Sequence, residues 1–123
     1  MTNQEIAKKL VELCKAGKTQ ECHETLYAKD IVSVEAAAPP GGDRTAKGID
    51  AVNAKSKWWA ENHVVHKAET FGPYPHGDDR FAVRFVYDIT RKMDQKRVTM
   101  DEVAVFHVAN GKIVREEFFY PTE

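Results

Sequence analysis

The amino-acid sequence predicts an α+β fold. Three observations carry this: helical periodicity in two short segments at the start, a third helical segment in the middle, and four β-like runs filling the second half. The order helix, helix, strand, helix and then a strand meander keeps helices and strands apart, which disfavours a doubly wound parallel sheet. With 123 residues, the chain has the length for one domain, 1–123, with one proper core.

The elements follow in order. Thr2 and Glu5 have capping-box spacing, and Ile6, Leu10 and Leu13 then recur at helical intervals until Gly17 ends the segment. Thr19 is placed to cap a second helix with Cys22, Leu26 and Tyr27 turned inward, which completes a helical hairpin. Residues 31–35 alternate enough for a short strand, and the Ala-Pro-Gly-rich stretch after it reads as a loop from Ala37 to Lys47. From Ile49 to Asn62, one helical face carries Ile49, Val52, Ser56, Trp59 and His63, with Lys55, Lys57 and Glu61 assigned elsewhere. Strands are expected over residues 64–71, 81–90, 98–108 and 112–120.

Composition narrows the function. Eighteen Lys and Arg nearly balance nineteen Asp and Glu, and no basic stretch is interleaved with aromatics, so nucleic acid is not an expected partner. The apolar stretches are short and broken by charge, and the N-terminus lacks the pattern of a signal peptide; a soluble, cytoplasmic protein with no membrane partner is expected. Cys14 and Cys22, the two cysteines, have no metal-ligand or redox-motif spacing and read as reduced structural thiols. No phosphate-binding glycine loop, serine-hydrolase motif or metal spacing is present, so neither a cofactor nor a metal is expected.

The segments Leu-Tyr-Ala-Lys-Asp-Ile-Val, Lys-Gly-Ile-Asp-Ala and Val-Ala-Asn-Gly-Lys-Ile-Val-Arg-Glu-Glu-Phe-Phe-Tyr resemble the SnoaL-like proteins of the nuclear transport factor 2-like superfamily. The resemblance implies a cone: a strongly curved antiparallel sheet wrapped around the long helix, open at the wide end, in a chain that often dimerises. It does not fix an activity, since superfamily members include cyclases, isomerases, an epoxide hydrolase, dehydratases and binding proteins. An epoxide hydrolase of the family uses an acid near the point where Phe118 stands, which argues against that reaction here.

Strand faces decide the site. In 98–108 and 112–120 the even positions are the more apolar, and a bulged three-residue loop, Ala109-Asn110-Gly111, would pair even with even. In 81–90 the apolar positions are odd, yet the resemblance implies an even inward face, reached through an odd loop around Met93-Asp94-Gln95. Under that register Asp88, Glu102 and Glu116 converge, with Glu35 as a fourth carboxylate. Crowded half-buried carboxylates resist ionising together, so one can donate a proton while another accepts it. Asp88 is the expected base and Glu102 the acid, with Tyr27, Glu35, Trp59, His63, Phe106, Glu116, Phe118 and Tyr120 around them. The bland alternative is a set of surface carboxylates paired with Arg84, Arg91 or Arg115.

The expected partner is a small organic molecule, acted on by a cofactor-independent isomerase, cyclase or dehydratase. A non-catalytic binding protein, or a dimerisation module, would show the same pattern. The even-inward register leaves Phe81, Val83, Phe85, Val103, Val105 and Phe119 outside, an apolar face that a homodimer would cover.

Overall fold

The computed structural model describes residues 1–122 and contains three helices and six strands. Helix α1 spans Asn3–Lys15, α2 Thr19–Leu26 and α3 Ile49–Asn62; the strands are β1 Tyr27–Val34, β2 Thr45–Lys47, β3 His63–His76, β4 Arg80–Arg91, β5 Arg97–Ala109 and β6 Lys112–Phe119.

The expected caps of α1 form. Thr2 Oγ1 accepts from the Glu5 amide at 3.2 Å while the Glu5 carboxylate accepts from the Thr2 amide at 2.9 Å. At the other end Gly17 takes a φ of +71°, which lets Lys18 N donate to Leu13 O and close the helix. Helix α2 begins at Thr19 without a side-chain cap and stops at Leu26, because Tyr27 is already extended and starts β1. Buried Asn3 donates through Nδ2 to the carbonyls of Gly77 and Arg80, tying α1 to the β3–β4 connection.

The sheet order is β2-β1-β6-β5-β4-β3. The sheet is mixed rather than wholly antiparallel as expected, since β1 runs parallel to β6. It stays open, and α3 packs against β1 and β2 on one side of the sheet and against β3 on the other. One helix touches both margins only if the sheet curls around it, and register shifts in β3 and β6 mark where the strands bend. The core between them contains Ile6, Leu10 and Leu13 of α1, Leu26, Ile31, Val52, Phe81, Val83, Phe106 and Ile113.

Two register expectations need correction. The even-with-even pairing of β5 and β6 is present, Phe106 opposite Glu116 and Ala104 opposite Phe118. It arises from a two-residue Asn110-Gly111 turn, both residues at positive φ, followed by a register shift beyond the Val108–Ile113 pair, and not from a three-residue loop. In β4 the odd residues face inward: Phe81, Val83, Phe85 and Ile89 are buried, and Phe85 lies opposite Glu102. The connection Lys92–Gln95 is four residues long, with Arg91 N bonded to Lys96 O, so odd positions of β4 meet even positions of β5. The alternation in the sequence was therefore the better guide to β4.

Candidate functional site

The inward faces of β4, β5 and β6, together with α1, α2 and α3, enclose a cavity of about 360 Å³. Its apolar wall includes Leu10, Val52, Phe85, Met100, Phe106 and Phe118, with Trp59 and Tyr87 tilted together at 5.5 Å between ring centroids.

A chain of polar side chains crosses this wall. Glu116, 2 % exposed, accepts from the Tyr27 hydroxyl at 2.8 Å to Oε1 and 3.2 Å to Oε2. Ser33, its neighbour across the parallel β1–β6 pair, accepts from Lys55 Nζ. Lys55 donates to Glu35 Oε2 at 3.2 Å and lies 5.1 Å from the centre of the Phe118 ring, and Tyr120 donates to the other Glu35 oxygen at 3.3 Å. Glu102 lies four positions before Phe106 on the same face of β5. Among the described residues, no donor meets its carboxyl.

The two inner carboxyls resist ionisation. Burial pushes Glu116 up to about 7, against the lowering pull of Lys55 and the Tyr27 bond. Burial, and then the charge of Glu35, pushes Glu102 up to about 7 as well, with Lys55 opposing. Near neutrality each is divided between acid and carboxylate, so either accepts or donates a proton without a large penalty. Tyr27 is pushed well above its ordinary range, chiefly by burial and then by Glu116, so it remains a hydroxyl donor.

The positions expected from sequence divide. Tyr27, Glu35, Trp59, Glu102, Phe106, Glu116 and Phe118 line the cavity. Tyr120 reaches it only through Glu35, and His63 stacks on Trp59 at 4.5 Å with Nδ1 2.7 Å from the Trp59 carbonyl oxygen. Asp88 is not in the cavity. It lies on the outer face opposite Thr99, held by a two-pronged bond from Arg97 at 2.9 and 2.8 Å that keeps its carboxyl below the ordinary range. The cause is the inverted β4 register, which also removes Phe81, Val83 and Phe85 from the outer face; Val103 and Phe119 remain exposed there beside Phe71.

Lys55 and His23 line the cavity, and Ser33 holds Lys55 from behind it, none of them expected from the sequence. Lys55 is expected off the inward face, but Val52, Lys55, Ser56 and Trp59 stand at helical spacing i, i+3, i+4 and i+7 and share it. That spacing was the available signal. Nothing in the sequence announced the parallel pairing that puts Ser33 beside Glu116. Among the described residues no three His, Cys, Asp or Glu side chains are grouped as metal ligands, and no helix is long and apolar enough to cross a membrane.

The fold and chain match known proteins closely. A solved structure from Mesorhizobium loti, provisionally named a SnoaL-like polyketide cyclase with carbohydrate phosphatase in brackets, is 47% identical, covers 98% of this chain and 100% of its own, and superposes with a TM-score of 0.91. An NTF2-like protein from Burkholderia thailandensis is 19% identical over 98% of this chain and 92% of its own, with a TM-score of 0.81. A provisionally named isomerase from Bacillus subtilis is 17% identical over 97% and 86%, with a TM-score of 0.75; these two show the fold alone. No curated protein matches. The SnoaL-like domain family model matches residues 1–120, and the chain belongs to the SnoaL-like family.

Proposed function

We propose that the protein is a cofactor-independent enzyme that moves a proton on a small, mostly apolar carbonyl compound by general acid/base catalysis, of the isomerase, cyclase or dehydratase type. The observation that carries this is Glu102, a carboxyl in an apolar cavity with no donor on it among the described residues and an affinity for protons raised to about 7. In its carboxylate form it takes the proton from a carbon beside a carbonyl. The C–H electron pair moves into the enolate, and the negative charge develops on oxygen. Lys55 spends two of its three N–H groups on Ser33 and Glu35, leaving the third for that oxygen. Return of the proton to another carbon isomerises the compound; attack of the enolate on a second carbonyl closes a ring, the new alkoxide taking the proton; and a β-hydroxyl leaves as water when the proton goes to it. Positioned acid/base groups of this kind contribute about 10²–10⁴-fold.

The name of the Mesorhizobium loti protein, with its 47% identity, supports a cyclase-type reaction. The exposed Phe71, Val103 and Phe119 support a second copy of the chain docking on the outer sheet face, although the patch is smaller than the sequence suggested.

The test is proton exchange in heavy water. Small cyclic ketones and diketones are incubated with the protein, and loss of α-proton signal is followed by NMR. Enzyme-dependent exchange that falls at least about a hundredfold in Glu102→Gln is expected. Exchange that persists unchanged in the variant rules out Glu102 as the base. No exchange at all, with ligand still bound, would favour a binding protein without chemistry.

A further inference from the structure

One buried polar group in the cavity plays no part in the proton transfer above. His23 of α2 is 6 % exposed, lines the cavity and packs its ring on Tyr27 with centroids 4.5 Å apart. Its Nδ1 lies 2.7 Å from Asn53 Oδ1 on α3. An amide oxygen only accepts, so the ring proton of this pair belongs to Nδ1. Burial, with the nearby charge of Lys55, keeps the second nitrogen unprotonated by lowering the pKa of the ring, against the opposing pull of the Asn53 bond. Nε2 therefore carries a lone pair, and among the described residues no donor meets it.

This acceptor differs from the others in the cavity. Glu102 and Glu116 change between accepting and donating near neutral pH, while Lys55 only donates. The Tyr27 hydroxyl is already committed to Glu116, and Ser33 Oγ accepts from Lys55. Nε2 of His23 keeps one role throughout. An acceptor on the cavity wall with no protein donor favours a ligand that brings a donor, and discriminates against the same skeleton without one.

We propose that His23 is a specificity residue: its Nε2 accepts a hydrogen bond from a hydroxyl on the ligand, so the cavity selects hydroxyl-bearing apolar molecules, with Asn53 as the positioning residue that fixes the ring. This rests on the cavity being a ligand site, as in the proposed function, but not on Glu102 acting as a base.

The experiment uses β-naphthol and its methyl ether as probes, which share a skeleton and differ in the donor. Affinities are measured by titration calorimetry for the wild type, His23→Phe and Glu102→Gln, and the His23 ring nitrogens of the ¹⁵N-labelled wild type are followed by long-range NMR correlation. The wild type is expected to prefer the naphthol by about five- to tenfold, the yield of one hydrogen bond. Nδ1 should appear protonated and Nε2 not, with Nε2 shifting on addition of naphthol and not of the ether. His23→Phe should lose the preference while still binding the ether, and Glu102→Gln should keep it. Equal binding of the two probes, an unmoved Nε2 signal, a proton on Nε2 in the free protein, or no binding of either probe at millimolar concentration overturns the proposal. A preference lost in Glu102→Gln also overturns it, since Glu102 would then be reading the hydroxyl. Absence of ketone exchange in the wild type would sink the catalytic reading and leave this preference standing.

Discussion

Replacing Glu102 with glutamine isolates the cost of placing a charge in this cavity. Its carboxyl titrates at 4.5 when unhindered and at about 7 in the folded chain, raised first by burial. Between those values the folded protein holds a proton that the unfolded chain has released, so stability is full below about pH 4.5 and falls as pH rises through about 7. At about 1.4 kcal/mol per pKa unit the penalty approaches about 3.5 kcal/mol, and partial solvation of the side chain reduces it to roughly 2. Glutamine has nearly the same shape and no charge to bury. The variant should therefore melt roughly 6–12 °C above the wild type at pH 8, and within about 2 °C of it at pH 4.5. Glu116, raised in the same direction, is present in both proteins, so the difference between the two melting profiles reports Glu102 together with its repulsion of Glu116. Thermal melts followed by circular dichroism at half-unit pH steps supply the assay. Parallel profiles, or a glutamine variant less stable at pH 8, would refute a buried, charge-penalised Glu102.

Lys55→Met removes the charge that opposes proton uptake by both inner carboxyls, so both should titrate above about 7 in carboxyl ¹³C spectra; unchanged midpoints would mean that Lys55 does not reach them. Tyr27→Phe deletes a donor on buried Glu116. A loss of about 1–3 kcal/mol in urea unfolding at pH 8, shrinking at pH 5 where the carboxyl is protonated, is expected. Asp88→Asn alters only an exposed pair with Arg97 on the outer face and should leave ketone exchange within about twofold of the wild type; a large loss would place the outer face in the chemistry.

The helices and the outline of the sheet were legible because their signals are local. The Thr2–Glu5 cap and the Gly17 stop need only neighbours in sequence, and the apolar alternation of β4 states its own buried face. The site was less legible for two physical reasons. Which residues of β4 and β5 oppose each other depends on the parity of the Lys92–Gln95 connection, and one residue of error there turns Asp88 from outside to inside. The polar network depends on long-range pairing: Ser33 meets Glu116 across a parallel β1–β6 contact, and Lys55 enters the cavity because Glu35 and Ser33 are there to receive it. Lys55 stands at i+3 from Val52 and so belongs to the inward face of α3. Glu102 was legible because it interrupts an otherwise apolar even face of β5, and Glu116 because it stands between Val114 and Phe118 at even positions, although the register shift in β6 brings odd-numbered Ile113 to the buried side as well.

The central claim is that two carboxyls in this cavity share protons near neutral pH, and carbon-detected NMR of the glutamate side chains tests it most directly. Assigned with Glu102→Gln and Glu116→Gln, the two resonances should titrate with midpoints near about 7. Midpoints near about 4.3 for both, the value of a solvated glutamate, would contradict the account.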